Sequence, residues 1–167
     1  DMKTLVVYPT KELLYVASTL GGEVVALVFN EGEAEGIKGK AHRVVVANVD
    51  VRLPEAVAEA ASRVAQGVDV VLLPSTKNGK TVGGLLAQRL GAELIVDATS
   101  LRVEGGSLKA ERYVFGNKAV ATIEVPLPVV VTVPPGRFQG EPPAVQTSVE
   151  KLQLDTTPKT RIVSVEE

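Results

Sequence analysis

Gly79-Lys80-Thr81 has the residue types that hold a nucleotide phosphate. In the pattern G-x-x-x-x-G-K-[ST], backbone N–H groups cradle the phosphates, the lysine reaches an outer phosphate and the hydroxyl reaches a bound Mg²⁺. The first glycine of that pattern falls on position 74, which is Pro74, and no other glycine lies between it and Gly79. Proline has no N–H to offer, so the cradle that does the chemistry is missing. G-x-G-x-x-G occurs nowhere in the chain. A simpler anion site remains open at Gly79, Lys80 and Thr81, made of the free N–H groups at a helix start and the Lys80 ammonium. In the competing reading Lys80 is a solvated first-turn residue, and Gly83-Gly84 only allow the helix to approach a sheet.

The other chemistry-bearing residues are scattered. His42 is the single histidine and there is no cysteine. This leaves no thiolate nucleophile, disulfide, thiolate-bound metal or histidine-rich metal site. His42 lies between a charged loop and a strand, reads as a surface or strand-entry residue, and has no serine or cysteine partner for a triad. Asp97 follows a strand, where carboxylates of α/β enzymes often sit; the structural reading is that it caps the turn into Thr99. Arg112 and Tyr113 fall on a hairpin strand, as a cross-strand pair or as a contact with a partner subunit. No general acid is paired with a base, so a self-contained enzyme is not expected.

The 167 residues carry a net charge of −2, with 45% apolar and 23% charged side chains. That is an ordinary globular balance with no electrostatic footprint for nucleic acid. No apolar run approaches the roughly 18 residues of a membrane span, and Met2-Lys3-Thr4 leads straight into an apolar strand. A cytoplasmic protein is expected. The single Met, the absence of Cys and Trp, and the few Asn and Gln fit a thermophile's bias against labile residues.

These residues need elements to hold them. Lys3–Tyr8, Glu23–Phe29, Arg43–Ala47, Val70–Leu73 and Glu93–Val96 are apolar, β-branched runs that predict strands. Leu13, Val16, Ala17 and Leu20 share a helical face that Gly21-Gly22 closes. Pro54 opens a second helix, whose buried face is Val57, Ala60, Ala61 and Val64. Val82, Leu85, Leu86 and Leu90 give a third, ended by Gly91. Asn30–Lys40 has no apolar period and reads as a loop. The alternation up to Asp97 predicts an α/β fold: an open, mostly parallel sheet with helices on both faces.

After Asp97 the pattern changes. Thr99–Val103, Leu108–Phe115, Ala119–Val125 and Val129–Val133 read as strands at short spacing, with turns at Gly105-Gly106 and Gly116-Asn117. They are expected to extend or cover the parallel sheet as antiparallel hairpins, with Pro126, Pro128, Pro134 and Pro135 marking the ends of the last strand or an edge. A Gly/Pro/Glu connector follows, and then strands at Val145–Leu154 and Thr160–Val165. The expected division is an α/β domain over 1–138, and a connector with two short strands over 139–167.

From Val68 to Phe138 the chain resembles the amino-terminal domain of the electron-transfer flavoprotein alpha subunit. The resemblance rests on the strand ending in Pro74, Thr76 with Gly79-Lys80, LLAQRLG over Leu85–Gly91, and Asp97-Ala98-Thr99. It continues in RYVFGNKAVATI over Arg112–Ile123 and VVVTVPPGRF over Val129–Phe138. The resemblance implies a fold like that of the adenine nucleotide alpha hydrolases and a heterodimer with a beta subunit. It also implies one FAD, which shuttles electrons from flavin dehydrogenases to a quinone-reducing acceptor. In the family the flavin is held mainly by a second, carboxy-terminal domain. The glycine- and serine-rich segment of that domain has no match here, so no FAD-binding residue carries over. The chain is expected to be a domain fragment, or an alpha subunit whose flavin domain is encoded separately, and to bind FAD weakly or not at all by itself. The alternative is a stand-alone nucleotide-binding module of the universal-stress-protein type, although Gly79, Gly83, Gly84 and Gly91 lack that family's glycine spacing.

Overall fold

The computed structural model describes residues 1–154 and residue 164. In chain order the elements are β1 (Lys3–Val7), α1 (Lys11–Thr19), β2 (Glu23–Val28), α2 (Glu31–Gly36), β3 (Arg43–Ala47), α3 (Pro54–Val64), β4 (Val70–Pro74) and α4 (Lys77–Leu90). They continue as β5 (Glu93–Ile95), β6 (Ser100–Glu104), β7 (Ser107–Val114), β8 (Ala119–Pro126), β9 (Val129–Val133) and β10 (Ser148–Leu152).

A seven-stranded sheet has the order β10-β3-β2-β1-β4-β9-β5, with every pairing parallel. Parallel strands need crossovers, and the crossover helices cover both faces. Alternation along each strand divides the core in two. Val6, Ala26, Val44, Leu72 and Val131 face α1, α2 and the inner side of the hairpin strands, where Leu108 and Ala110 are buried. Leu5, Val7, Val25, Leu27, Val45, Leu73 and Val130 face α3 and α4. All five residues of β4 and of β9 are buried, as strands with a packed layer on each face require.

Two elements depart from the sequence reading. The expected loop Asn30–Lys40 contains α2, whose start is fixed by reciprocal capping. Glu33 N–H donates to the Asn30 side chain at 2.8 Å, and the Glu33 carboxylate accepts from Phe29 N–H at 3.3 Å. Only Ala34 of this helix is buried, and it carries Gly32 and Gly36, so no apolar period announces it. Val129–Val133 is not a hairpin strand either. β6, β7 and β8 form a separate antiparallel sheet of three, and the chain then returns so that β9 enters the parallel sheet between β4 and β5.

The described part of the tail packs back on the domain. β10 pairs with β3, and the Thr147 hydroxyl donates to Ala41 C=O at 2.6 Å while accepting from Gly39 N–H at 2.8 Å. Gly140 lies so close to the Tyr15 ring that a β-carbon there would sit 2.3 Å from a ring atom. The expected strand at Thr160–Val165 lies outside the described residues.

The glycines of α4 divide by environment. A β-carbon on Gly79 would lie 1.8 Å from Pro74 O, and one on Gly83 would meet Thr132 Cγ2 at 3.4 Å, whereas one on Gly84 would meet nothing within 4 Å. Gly79 thus sets the close approach of helix to sheet, while a β-carbon at Gly83 would make ordinary van der Waals contact and one at Gly84 would meet open space. Gly84→Ala is expected to raise unfolding stability by about 0.5–1 kcal/mol, the usual helix-interior gain. Gly79→Ala is expected to lower it by about 1–3 kcal/mol through overpacking. Urea denaturation midpoints of the two variants check both signs.

Candidate functional site at the carboxyl rim of the sheet

In an open α/β sheet the crevice that receives ligands lies outside the carboxyl ends of the strands, where the strand order reverses. Here the reversal falls at β1, which pairs with β2 on one side and β4 on the other. The turns after β1 and β4 therefore line the place where a ligand would sit.

After β1 the chain turns through Tyr8, whose φ is 57°, and Pro9. The Tyr8 ring packs at a tilt on Phe29, with centroids 5.7 Å apart. Its hydroxyl is buried without a hydrogen-bond partner among the described residues, and burial pushes the phenol pKa up. Thr10 caps α1 by accepting from Leu13 N–H at 3.1 Å. Glu12 in the first turn of α1 accepts from Gly136 N–H at 2.8 Å and Phe138 N–H at 2.6 Å. That carboxylate clamps the loop after β9 against the rim.

After β4 the turn is bound to its neighbours. Ser75 N–H donates to Val133 C=O at 2.8 Å, and its hydroxyl meets Thr132 Oγ1 at 2.9 Å. Thr132 Oγ1, fully buried, also accepts from Asp97 N–H at 3.0 Å. One hydroxyl thus joins the ends of β4, β9 and β5. Thr76 caps α4 by accepting from Gly79 N–H at 3.0 Å. The Thr81 hydroxyl donates to Lys77 C=O at 2.9 Å, and Lys80 Nζ lies 3.3 Å from the Asp97 carboxylate. The Gly79 N–H, the Lys80 ammonium and the Thr81 hydroxyl are each engaged by a neighbour in the chain.

A cleft of about 370 Å³ opens beside this turn, lined by Ser75, Asp97, Thr99, Tyr113, Asn117, Pro134 and Arg137. Arg137 lies over the Tyr113 ring, 4.9 Å from its centroid, and donates to the Tyr113 hydroxyl at 3.0 Å. Lys80 and Asp97 are both partly exposed, so their attraction is worth little in stability but occupies both charges. The cleft is lined by one member of that pair, Asp97, and by the stacked Arg137. Among the described residues it sets no nucleophile against a base.

The residues singled out from sequence are brought together in part. Gly79, Lys80, Asp97 and Tyr113 converge on one rim. Asp97 does not cap the turn into Thr99 with its side chain. The turn comes from its own left-handed backbone, φ 61°, and Thr99 N–H bonds to Glu111 C=O instead. His42 stands apart at the entry of β3, where Nδ1 accepts from Val24 N–H at 2.9 Å. Arg112 points to the inner side of the hairpin sheet, with its Nε buried and unpaired among the described residues. Sequence reasoning missed the Glu12 clamp, the Thr132 junction and the Arg137–Tyr113 stack. Each joins residues far apart in the chain, and only the position of Glu12 in a first helical turn is a local signal.

A family model described as the electron transfer flavoprotein domain matches residues 6–157. Protein FixB of Escherichia coli O157:H7 is 32% identical over 139 residues, an alignment of 79% of this chain with 44% of that protein. Electron transfer flavoprotein subunit alpha of Syntrophomonas wolfei is 36% identical over 140 residues, covering 76% of this chain and 43% of that protein. The putative electron transfer flavoprotein subunit YdiR of Escherichia coli K12 is 29% identical over 131 residues, covering 75% and 42%. The chain spans less than half the length of these curated relatives.

Thr132→Val keeps the shape and removes the acceptor shared by Ser75 and Asp97. It is expected to cost about 1–3 kcal/mol, read from the denaturant midpoint, because two polar groups at a buried junction lose their partner. Tyr8 gives a pH effect of known sign. Its folded pKa is raised, so its contribution is fully present below the ordinary phenol value of 10.0 and is lost as pH climbs above it. Tyr8→Phe is expected to leave stability near neutral pH unchanged or higher, since the hydroxyl has no partner to lose. The variant should also flatten the alkaline decline in melting temperature.

Proposed function

This chain belongs to the electron transfer flavoprotein family, and on that premise we propose that it is the amino-terminal scaffold domain of an alpha-type subunit. The observation that carries the reading is the match of residues 6–157 to the family, joined to a carboxyl rim whose candidate anion groups are bonded within the chain. Family members carry electrons and are not enzymes in their own right.

The finer reading has four parts. A second domain, of the kind the family resemblance implies, holds FAD. A beta subunit completes a heterodimer. Flavin dehydrogenases deliver electrons, and a quinone-reducing or similar acceptor receives them. The assembly works in the cytoplasm, and among the described residues no helix is long and apolar enough to cross a membrane. In this division residues 1–138 form the scaffold and 139–167 lead toward the flavin domain, although β10 is also part of the scaffold's sheet.

Flavin retention tests the proposal. The isolated chain, incubated with excess FAD and desalted, is expected to lose the flavin absorbance band. Co-expressed with an alpha-type flavin domain and a beta subunit, it is expected to elute with both and with bound flavin. A yellow isolated chain holding stoichiometric FAD contradicts the scaffold reading. Stabilisation of the isolated chain by ATP or AMP in a thermal shift would favour the nucleotide-module alternative, by mass action on the folded state.

A further inference from the structure

The two sheets leave four strands with an open edge, and three of them are protected. β5 has three residues, β6 carries Arg102 and Glu104, and β10 carries Glu150 and Lys151. β8 differs, with eight residues, AVATIEVP, and one charge, Glu124. A long edge with so little charge is a ready template for another strand. No backbone hydrogen bond outside the β7 ladder involves Ala119–Pro126 among the described residues.

The register shows which groups are free. Residues opposite each other on β7 and β8 include Ser107 with Pro126 and Val114 with Ala119. Leu127 N–H donates to Gly106 C=O at 3.0 Å, so that opposed pair is a hydrogen-bonded one. Such pairs recur at every second position, so Ala119, Ala121, Ile123 and Val125 bond to β7. The N–H and C=O groups of Val120, Thr122 and Glu124 therefore point out from the edge.

We infer that the β8 edges of two copies of this chain pair antiparallel about Ala121, joining two three-stranded sheets into one of six. Opposed residues on a shared face must have matching parity, and a two-fold at Ala121 meets that condition. It sets Val120 against the other copy's Thr122, and Lys118 against the other copy's Glu124. Neither Lys118 nor Glu124 has an ion-pair partner within the chain among the described residues, and the two-fold supplies one to each. The same pairing sets Gly116 against the other copy's Pro126. It thereby covers part of the apolar tip, where Phe115 is 80% exposed, Val120 51% and Tyr113 41%.

Sedimentation of the 167-residue chain over a wide concentration range tests it, with a reversible monomer–dimer equilibrium expected. Thr122→Pro removes an outward N–H and spares the β7 ladder, so it should give a monomer with unchanged far-ultraviolet circular dichroism and melting temperature. Lys118→Glu places like charges opposite each other and should weaken the dimer about tenfold. Lys118→Glu with Glu124→Lys should restore it. A chain that stays monomeric at every concentration, or a folded Thr122→Pro variant that dimerises like the parent, overturns the inference.

Discussion

β9 has a strand on each edge and a packed layer on each face, and the rest of the carboxyl rim depends on that confinement. Its five residues pair in register with β4 on one side and β5 on the other. Four are valines, which fill the two layers alternately; the fifth is Thr132. A buried hydroxyl is costly to leave unbonded, and this one answers two donors from neighbouring strand ends. Shifting β9 by one residue would turn Thr132 to the opposite face and strand Ser75 and Asp97. Register, rim geometry and the position of the cleft follow from one strand.

That strand also explains the route of the chain. β5 and β9 are parallel neighbours, so the segment between them must return to the amino end of the sheet. It does so through β6, β7 and β8, which cover the α1 side of the core and bring the tip at Gly116-Asn117 back to the carboxyl rim beside Pro134 and Arg137. The hairpin sheet is a crossover connection, doing with strands what α1, α3 and α4 do with helices.

Much of this was legible in the sequence. Strands buried on both faces announce themselves as VVLL and VVVTV, and the helical faces of α1, α3 and α4 follow from spacing. α2 was illegible because a six-residue helix with two glycines buries only Ala34; the Asn30–Glu33 capping pair was its one local sign. The place of β9 was hidden because apolar content reports burial and not neighbours. At the rim, Gly79-Lys80-Thr81 and Asp97 were visible as residue types. What they do was not, because the Lys80–Asp97 and Thr132 contacts span 17 and 35 positions. A Gly-Lys-Thr triplet carries meaning only through the backbone around it, and here Pro74 stands in place of the first glycine while Thr76, Lys77 C=O and Asp97 engage the triplet's groups.

The groups of this rim are bonded to neighbours in the chain, and we propose that it serves as a structural junction rather than a ligand site. Titration of the isotopically labelled chain with FAD, followed by amide chemical shifts, tests it most directly. The amides of Tyr8, Ser75 to Thr81 and Asp97 to Thr99 are predicted to keep their positions as the flavin is raised well above the protein concentration. Saturable shifts confined to Gly79, Lys80 and Thr81 would contradict the account and return the β4–α4 turn to the role its residue types first suggest.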